Sequence, residues 1–349
     1  MISVGMDVHV RNSYLHVLDS QRRLVHHGRC ANTLGDLAAF LGRFEAEPMQ
    51  ISLENTTNSR AVYRMLMAYR REAGVELQAQ VLDARKLRII AESVSKCDRL
   101  DAAVIAELTH AELNLPVCYL PDDEEFTLRE HLRARHDLVT LRTRIKNRVH
   151  SVLHRRGILA PLRGTLFAGS GRQFLEEVKL DDAGRTIVNR YLQLVDQLED
   201  AVAASTKDLR ALTRQTRWAK PAALLQTMPG LGIITAMTIL AELGDIHRFR
   251  SRSAVANYVG LVPVLRSSNE SHYSGGITKR GSKHLRAVLI EAAWTGARRV
   301  PRYQALFARV SGRRGSKVAV VAVARRMVED AWIMLKRDEA FRFSQSVAG

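Results

Sequence analysis

The chain has few of the features that mark a secreted or membrane-embedded protein. Only three cysteines occur in 349 residues: Cys30, Cys97 and Cys118. They are widely spaced and odd in number, which argues against a disulfide framework or a zinc site. Free thiols in a reducing cytoplasm fit better. No apolar run approaches the roughly 20 residues of a spanning helix. The opening Met1–Asp7 has no basic stretch and meets an acid at once, so no signal peptide is expected. No long internal repeat and no low-complexity tract is present. Acidic residues are also scarce. Asp and Glu total 36 against 53 Lys and Arg, a formal net charge of +17. Such an excess attracts polyanions, nucleic acid first and an anionic membrane surface second. With 46% hydrophobic residues, two or three domains can each bury a core.

Residues 1–115 read as alternating strands and helices. Strands are expected at Ile2–Val8, Asn12–Leu18, Arg23–Gly28, Gln50–Glu54 and Val75–Leu82, with helices at Thr33–Phe44, Asn58–Arg70 and Asp98–Leu108. That order predicts an α/β unit with a mixed sheet. Residues 116–215 lose the strand signal. Leu138, Leu141, Ile145, Val149 and Val152 form a helical stripe, and Ile187, Tyr191, Leu194, Leu198 and Ala201 form another. Two long helices around a turn-rich insert at Gly157–Gly171 are expected, as an antiparallel coiled coil. Its first helix carries Arg142, Arg144, Lys146, Arg148, Arg155 and Arg156, candidates for nucleic-acid contact. Residues 216–349 are expected to form a third, mostly helical unit.

Four acids carry the first chemical hypothesis. Asp7 ends the first strand and Glu54 the fourth, so neighbouring strands would bring both carboxylates to one sheet edge. Asp98 and Asp101 are three apart on a helix and share a face. Gathered carboxylates repel, and a divalent cation relieves that repulsion. An all-oxygen set favours Mg²⁺ or Mn²⁺, and two such ions would stabilise both oxygens of a phosphoryl transfer. The bland reading makes each acid a turn former, a helix cap or part of a solvated face. The combination resembles the ribonuclease-H-like fold of Holliday-junction resolvases of the RuvC type.

A second constellation lies near the C-terminus. Ser267 and Ser268 sit between Gly260-Leu261-Val262-Pro263 and the basic loop Gly275–Lys283, which holds Lys279, Arg280 and Lys283. Glycines let backbone N–H groups face a phosphate, and the cations neutralise it. Attack by either serine on a scissile phosphate would link protein and DNA covalently. The competing reading is a pair of ordinary loop serines. Upstream, Pro229-Gly230-Leu231-Gly232 resembles the hairpin of helix-hairpin-helix DNA binders, where glycine amides meet a phosphate. It is equally a good inter-helix turn.

In order, Gly5-Met6-Asp7-Val8-His9, Leu53-Glu54-Asn55-Thr56, Lys96–Ala102, Pro229–Gly232, Gly260–Pro263, Ser267-Ser268 and Ile277–Gly281 resemble the motifs of DEDD insertion-sequence transposases. That family is related to Piv-type DNA invertases and includes bridge-RNA-guided recombinases. The resemblance spans nearly the whole chain. It implies that Asp7, Glu54, Asp98 and Asp101 bind metal and that Ser268 is the nucleophile, with Ser267 the second choice. It implies Mg²⁺, cleavage and rejoining of DNA through a 5′-phosphoserine, a structured guide RNA, and a tetramer built from dimers. Cys97 stands where a small hydroxyl residue is common, and Asn269 where glycine is usual. The runner-up functions are a metal-dependent junction nuclease without a serine intermediate and a non-catalytic nucleic-acid-binding protein.

Overall fold

The computed structural model describes residues 1–83, 98–111, 115–160, 166–268 and 271–342, with backbone only at 98–99, 265–268 and 271–275. The calls on Cys97 and Asn269, and on the side chains of Asp98, Ser267 and Ser268, lie outside the described residues. The chain forms two compact units, Met1–Leu120 and Pro121–Gly349.

The first unit contains β1 (Ile2–Val8), β2 (Asn12–Leu18), β3 (Leu24–Ala31), α1 (Leu34–Leu41), β4 (Met49–Glu54), α2 (Ser59–Ala73), β5 (Leu77–Leu82) and α3 (Asp98–His110). The sheet order is β3-β2-β1-β4-β5. β1 runs antiparallel to β2 and parallel to β4, and β4 is parallel to β5, so the sheet is mixed as expected. Alternation assigns its faces. Ile2, Val4, Met6 and Val8 join Ile51 and Leu53 in a core with Leu37 and Phe40 of α1 and Val62 and Leu66 of α2. The opposite face of β1 carries Ser3, Gly5 and Asp7, and α3 covers it. At Gly5 a Cβ would lie 2.1 Å from the Ala102 carbonyl oxygen and 2.3 Å from the Ala106 nitrogen. Only glycine permits that approach. Every residue of β1 is therefore buried, as a strand covered on both faces should be.

The second unit opens with α4 (Asp123–His154), followed by α5 (Ser170–Glu177) and α6 (Asp182–Leu212). Asp122 caps α4, accepting from the Glu125 N–H at 2.9 Å. At 32 residues, α4 is roughly 48 Å long. It packs along α6. Two separate cores hold the pair. At one end Leu128, Leu132 and Leu209 enter the large C-terminal core with Trp218 and Met237. At the other, Val149, Val152 and Leu153 pack with Leu175, Val188 and Leu192. Between them α4 and α6 also make polar links. Lys146 Nζ donates to Glu199 at 2.6 Å and Arg135 Nε to Thr206 Oγ1 at 2.8 Å. Near the base, buried Arg129 donates to the Ala241 carbonyl at 2.7 Å.

The rest comprises α7 (Thr216–Gln226), α8 (Ile233–Leu243), α9 (Arg252–Val259), β6 (Pro263–Ser268), β7 (Ser271–Ile277), α10 (Lys283–Arg299), α11 (Pro301–Arg314) and α12 (Ser316–Arg337). The β6–β7 hairpin was not anticipated, and the serine pair falls on a strand rather than in a loop. Among the described residues no helix is long and apolar enough to cross a membrane.

Candidate functional site

Asp7 is 5% exposed on β1. Met6 pairs with Leu53 across the parallel β1–β4 ladder. Asp7 and Glu54 each follow that pair by one residue, Glu54 as the last residue of β4. The turns beyond these two strand ends are tied together. Asn58, just before α2, donates to the Val10 carbonyl at 2.7 Å and the His9 carbonyl at 3.3 Å. Asn32 donates to the same His9 carbonyl at 2.8 Å. Ser59 Oγ donates to the Glu54 carbonyl at 2.6 Å and accepts from the Thr56 N–H at 2.7 Å. Serine and asparagine thus supply hydrogen bonds where the sheet stops and tie the strand ends to the following turns.

Asp98 opens α3, and half-buried Asp101 immediately precedes Ala102, the residue pressed on Gly5. Three of the four predicted acids are thus placed by described side chains: two on adjoining strand ends and one on the helix crossing β1. Among the described residues no three His, Cys, Asp or Glu side chains converge closely enough to form a ready metal cage. The donor chemistry of Asp7 and Glu54 fits a hard divalent cation.

Other groups surround Asp7 that sequence reasoning gave no role. His9 Nε2 lies 3.1 Å from Asp7 Oδ2. Tyr14 pairs directly opposite Asp7 on β2, and its hydroxyl is 2.7 Å from His27 Nδ1. His9 stood in the opening motif, but nothing in its spacing said it would reach back to Asp7. Cys30 is buried, which pushes its thiol up to about 11 and keeps it protonated and inert near neutrality.

In the second unit the register pairs Ser267 with His272 and Ser268 with Ser271. The basic loop after β7 is locked to the end of α9 by close backbone approach. A Cβ on Gly260 would lie 2.1 Å from the Arg280 carbonyl oxygen, and one on Gly281 2.0 Å from that of Tyr258. Both glycines have positive φ, at 78° and 73°. Arg286 fastens the arrangement, donating to the carbonyls of Arg280 at 2.6 Å, Val259 at 3.0 Å and Gly281 at 3.1 Å. Lys279, Arg280 and Lys283 remain exposed, so the loop presents cations from a fixed backbone. Arg286 was not singled out because a carbonyl-clamping arginine leaves no local pattern.

The turn Pro229–Gly232 lines an open cavity of about 820 Å³ with Thr295 and Arg299. Gly230 has φ 98°, and a Cβ there would lie 2.6 Å from the Ala292 carbonyl oxygen. Of the six candidate cations, four on α4 and Arg155 and Arg156 just past its end, Lys146 is bound to Glu199 at 2.6 Å and Arg156 to Asp181. Arg142, Arg144, Arg148 and Arg155 form no ion pair among the described residues, so these four are the better placed for an external anion.

Two family models match parts of the chain. A family model described as "Transposase", of the DEDD IS110 type, matches residues 4–156. A second, described as "Transposase IS116/IS110/IS902 family", matches residues 222–308. The chain is similar to the transposase for insertion sequence element IS1111A of Coxiella burnetii, 27% identical over 288 residues, covering 78% of this chain and 76% of the relative. It is similar to the transposase for IS1328 of Yersinia enterocolitica, 28% identical and covering 76% and 78%. A pilin gene-inverting protein of Moraxella bovis is 29% identical over 123 residues, covering 34% of this chain and 38% of the relative.

Proposed function

The chain belongs to the IS110 family of transposases, and from that premise we propose that it recombines DNA with a carboxylate-bound Mg²⁺ or Mn²⁺ and a serine nucleophile. As a transposase it cleaves and rejoins DNA for insertion-sequence movement. The observation that supports the mechanistic reading is that Asp7 and Glu54 each lie one residue past the Met6–Leu53 pair on adjoining parallel strands, with the helix that carries Asp98 and Asp101 pressed on Gly5. We assign residues 1–115 to a RuvC-like catalytic domain, 116–215 to a coiled-coil arm and 216–349 to a C-terminal transposase domain.

In this reading Asp7, Glu54, Asp98 and Asp101 hold the cation. When bound, it stabilises charge on the scissile phosphate as a Lewis acid. Ser268, or Ser267 as second choice, attacks the phosphorus. An Oγ–P bond forms, the bond to the 3′ oxygen breaks, and the serine proton passes to the departing 3′-hydroxyl. Attack by another 3′-hydroxyl reverses the step and rejoins the strand. Lys279, Arg280 and Lys283, with Gly230 and Gly232, hold flanking phosphates. The arm's Arg142, Arg144, Arg148 and Arg155 contact backbone phosphates of DNA or of a structured guide RNA. Lys146 and Arg156 contribute from their ion pairs. Exposed Leu141, Ile187 and Leu194 on the arm suit a contact between subunits of a dimer or tetramer.

The test is denaturing electrophoresis after incubation with element-end DNA, guide RNA and Mg²⁺. Wild type should give a protein–DNA adduct and joined product. Asp7→Asn should abolish both while binding DNA normally, and Ser268→Ala should abolish the adduct. Cleavage by Ser268→Ala and Ser267→Ala proteins at the wild-type rate, with no adduct from wild type, would establish the junction nuclease instead. Unchanged processing by Asp7→Asn would refute both.

A further inference from the structure

The second unit contains a cavity of about 190 Å³ walled by five arginines and unconnected with any residue invoked above. Arg252 comes from the start of α9, Arg302 from α11, Arg326 and Arg337 from α12, and Arg342 from the segment beyond. Only two carboxylates, Asp330 and Glu339, line the same space.

The pairing is uneven. Asp330 is buried; it accepts from Arg302 at 2.9 Å and from the Tyr303 hydroxyl at 2.7 Å, with Arg326 at 3.3 Å. Arg326 also has Glu329 at 3.8 Å, and Glu339 holds Arg342 at 3.1 Å. Arg252 and Arg337 form no ion pair among the described residues. Arg302 Nε is buried without a hydrogen-bond partner. Its guanidinium is fixed in place, 4.5 Å from the Phe341 ring centroid and 5.2 Å from that of Tyr303. Guanidinium groups are therefore held together with donors to spare, and their planar forks match phosphate oxygens.

Size narrows the ligand. Sites that enclose whole small molecules are larger, roughly 300–1,000 Å³. This cavity suits one group of a larger chain. Resting on the reading that the protein handles nucleic acid, we propose that the arginine cavity seats a single backbone phosphodiester of a nucleic-acid strand. Asp330 is then a positioning residue: it orients Arg302 and Arg326 and leaves Arg252 and Arg337 to close on the anion.

The experiment measures binding of the full-length chain to short duplex DNA and to single-stranded RNA, by fluorescence anisotropy across a salt series. The variant is Arg252→Ala with Arg337→Ala, both exposed, so the fold is not at risk. Arg210→Ala with Arg214→Ala removes the same charge outside the cavity. The cavity variant should bind about tenfold more weakly whatever the sequence, and its salt slope should fall by about 1. The control pair should change the slope less. A drop with DNA alone or RNA alone supports the proposal and identifies the strand. If the two pairs behave alike on both strands while wild type binds, the cavity proposal is overturned and the transposase reading stands. Wild-type protein that binds neither strand overturns both.

Discussion

Replacing Gly5 with alanine tests the contact that brings the helix of the paired aspartates onto the strand of Asp7. The new Cβ would meet the Ala102 carbonyl oxygen at 2.1 Å and the Ala106 nitrogen at 2.3 Å. Both are helix backbone, so no rotamer change can relieve the clash. Restoring ordinary contact beyond 3.4 Å requires α3 to retreat by about 1.3 Å. Overpacking of this kind costs about 1–3 kcal/mol. For a unit spanning Met1–Leu120, each kcal/mol is worth roughly 4 °C, so its melting temperature should fall by roughly 4–12 °C. The same retreat shifts Asp98 and Asp101 away from Asp7, and a misplacement of about 1 Å can cost on the order of 10²-fold in rate. Thermal melting and the rate of element-end cleavage measure the two effects, with DNA binding expected to persist. Gly35→Ala is the control, because nothing lies within 4 Å of its added Cβ. A Gly5→Ala protein that melts and cleaves like wild type would refute the proposed seating of α3.

Two further outcomes follow from the C-terminal unit. Arg286→Met removes three hydrogen bonds to the carbonyls of Val259, Arg280 and Gly281. The basic loop should become protease-sensitive and DNA affinity should fall several-fold; Arg286→Lys should not restore it, because an ammonium cannot span the same carbonyls. His284 has its pKa held below the ordinary 6.5, first by burial and then by His136, Lys283 and Arg133, with Glu242 opposing. The unfolded chain therefore takes up this proton more readily. The contribution of His284 to stability is complete above about pH 6.5 and is lost as pH falls below it. The melting temperature should decline between about pH 7 and 5.5, and His284→Asn should flatten that decline; an identical profile in the variant would exclude His284 as the cause.

Most of the N-terminal unit was legible in the residue order. Period-two alternation at Ile2–Val8 and period-three-to-four stripes in the helices report burial directly. The five strands lie where that patterning puts them, within a few residues at their ends, and the two apolar stripes fall inside the longer helices Asp123–His154 and Asp182–Leu212. The β6–β7 hairpin was not legible. Its strands are short, and Ser267, Ser268 and Ser271 give no apolar alternation. The division of arm cations was equally hidden, since Lys146 and Arg156 look like their neighbours until α6 supplies Glu199 and Asp181 brings up the second partner.

The sequence by itself determined the element types, the basic character and the candidate acids, because these depend on side-chain chemistry and local spacing. Tertiary structure alone decided which strand lies beside β1, that α3 crosses it at Gly5, that Asn58 ties two turns together, and that five arginines from four segments share one cavity. Such contacts join residues far apart in the chain. Their energies arise from close packing and from pairing of buried polar groups, neither of which leaves a periodic mark on the sequence.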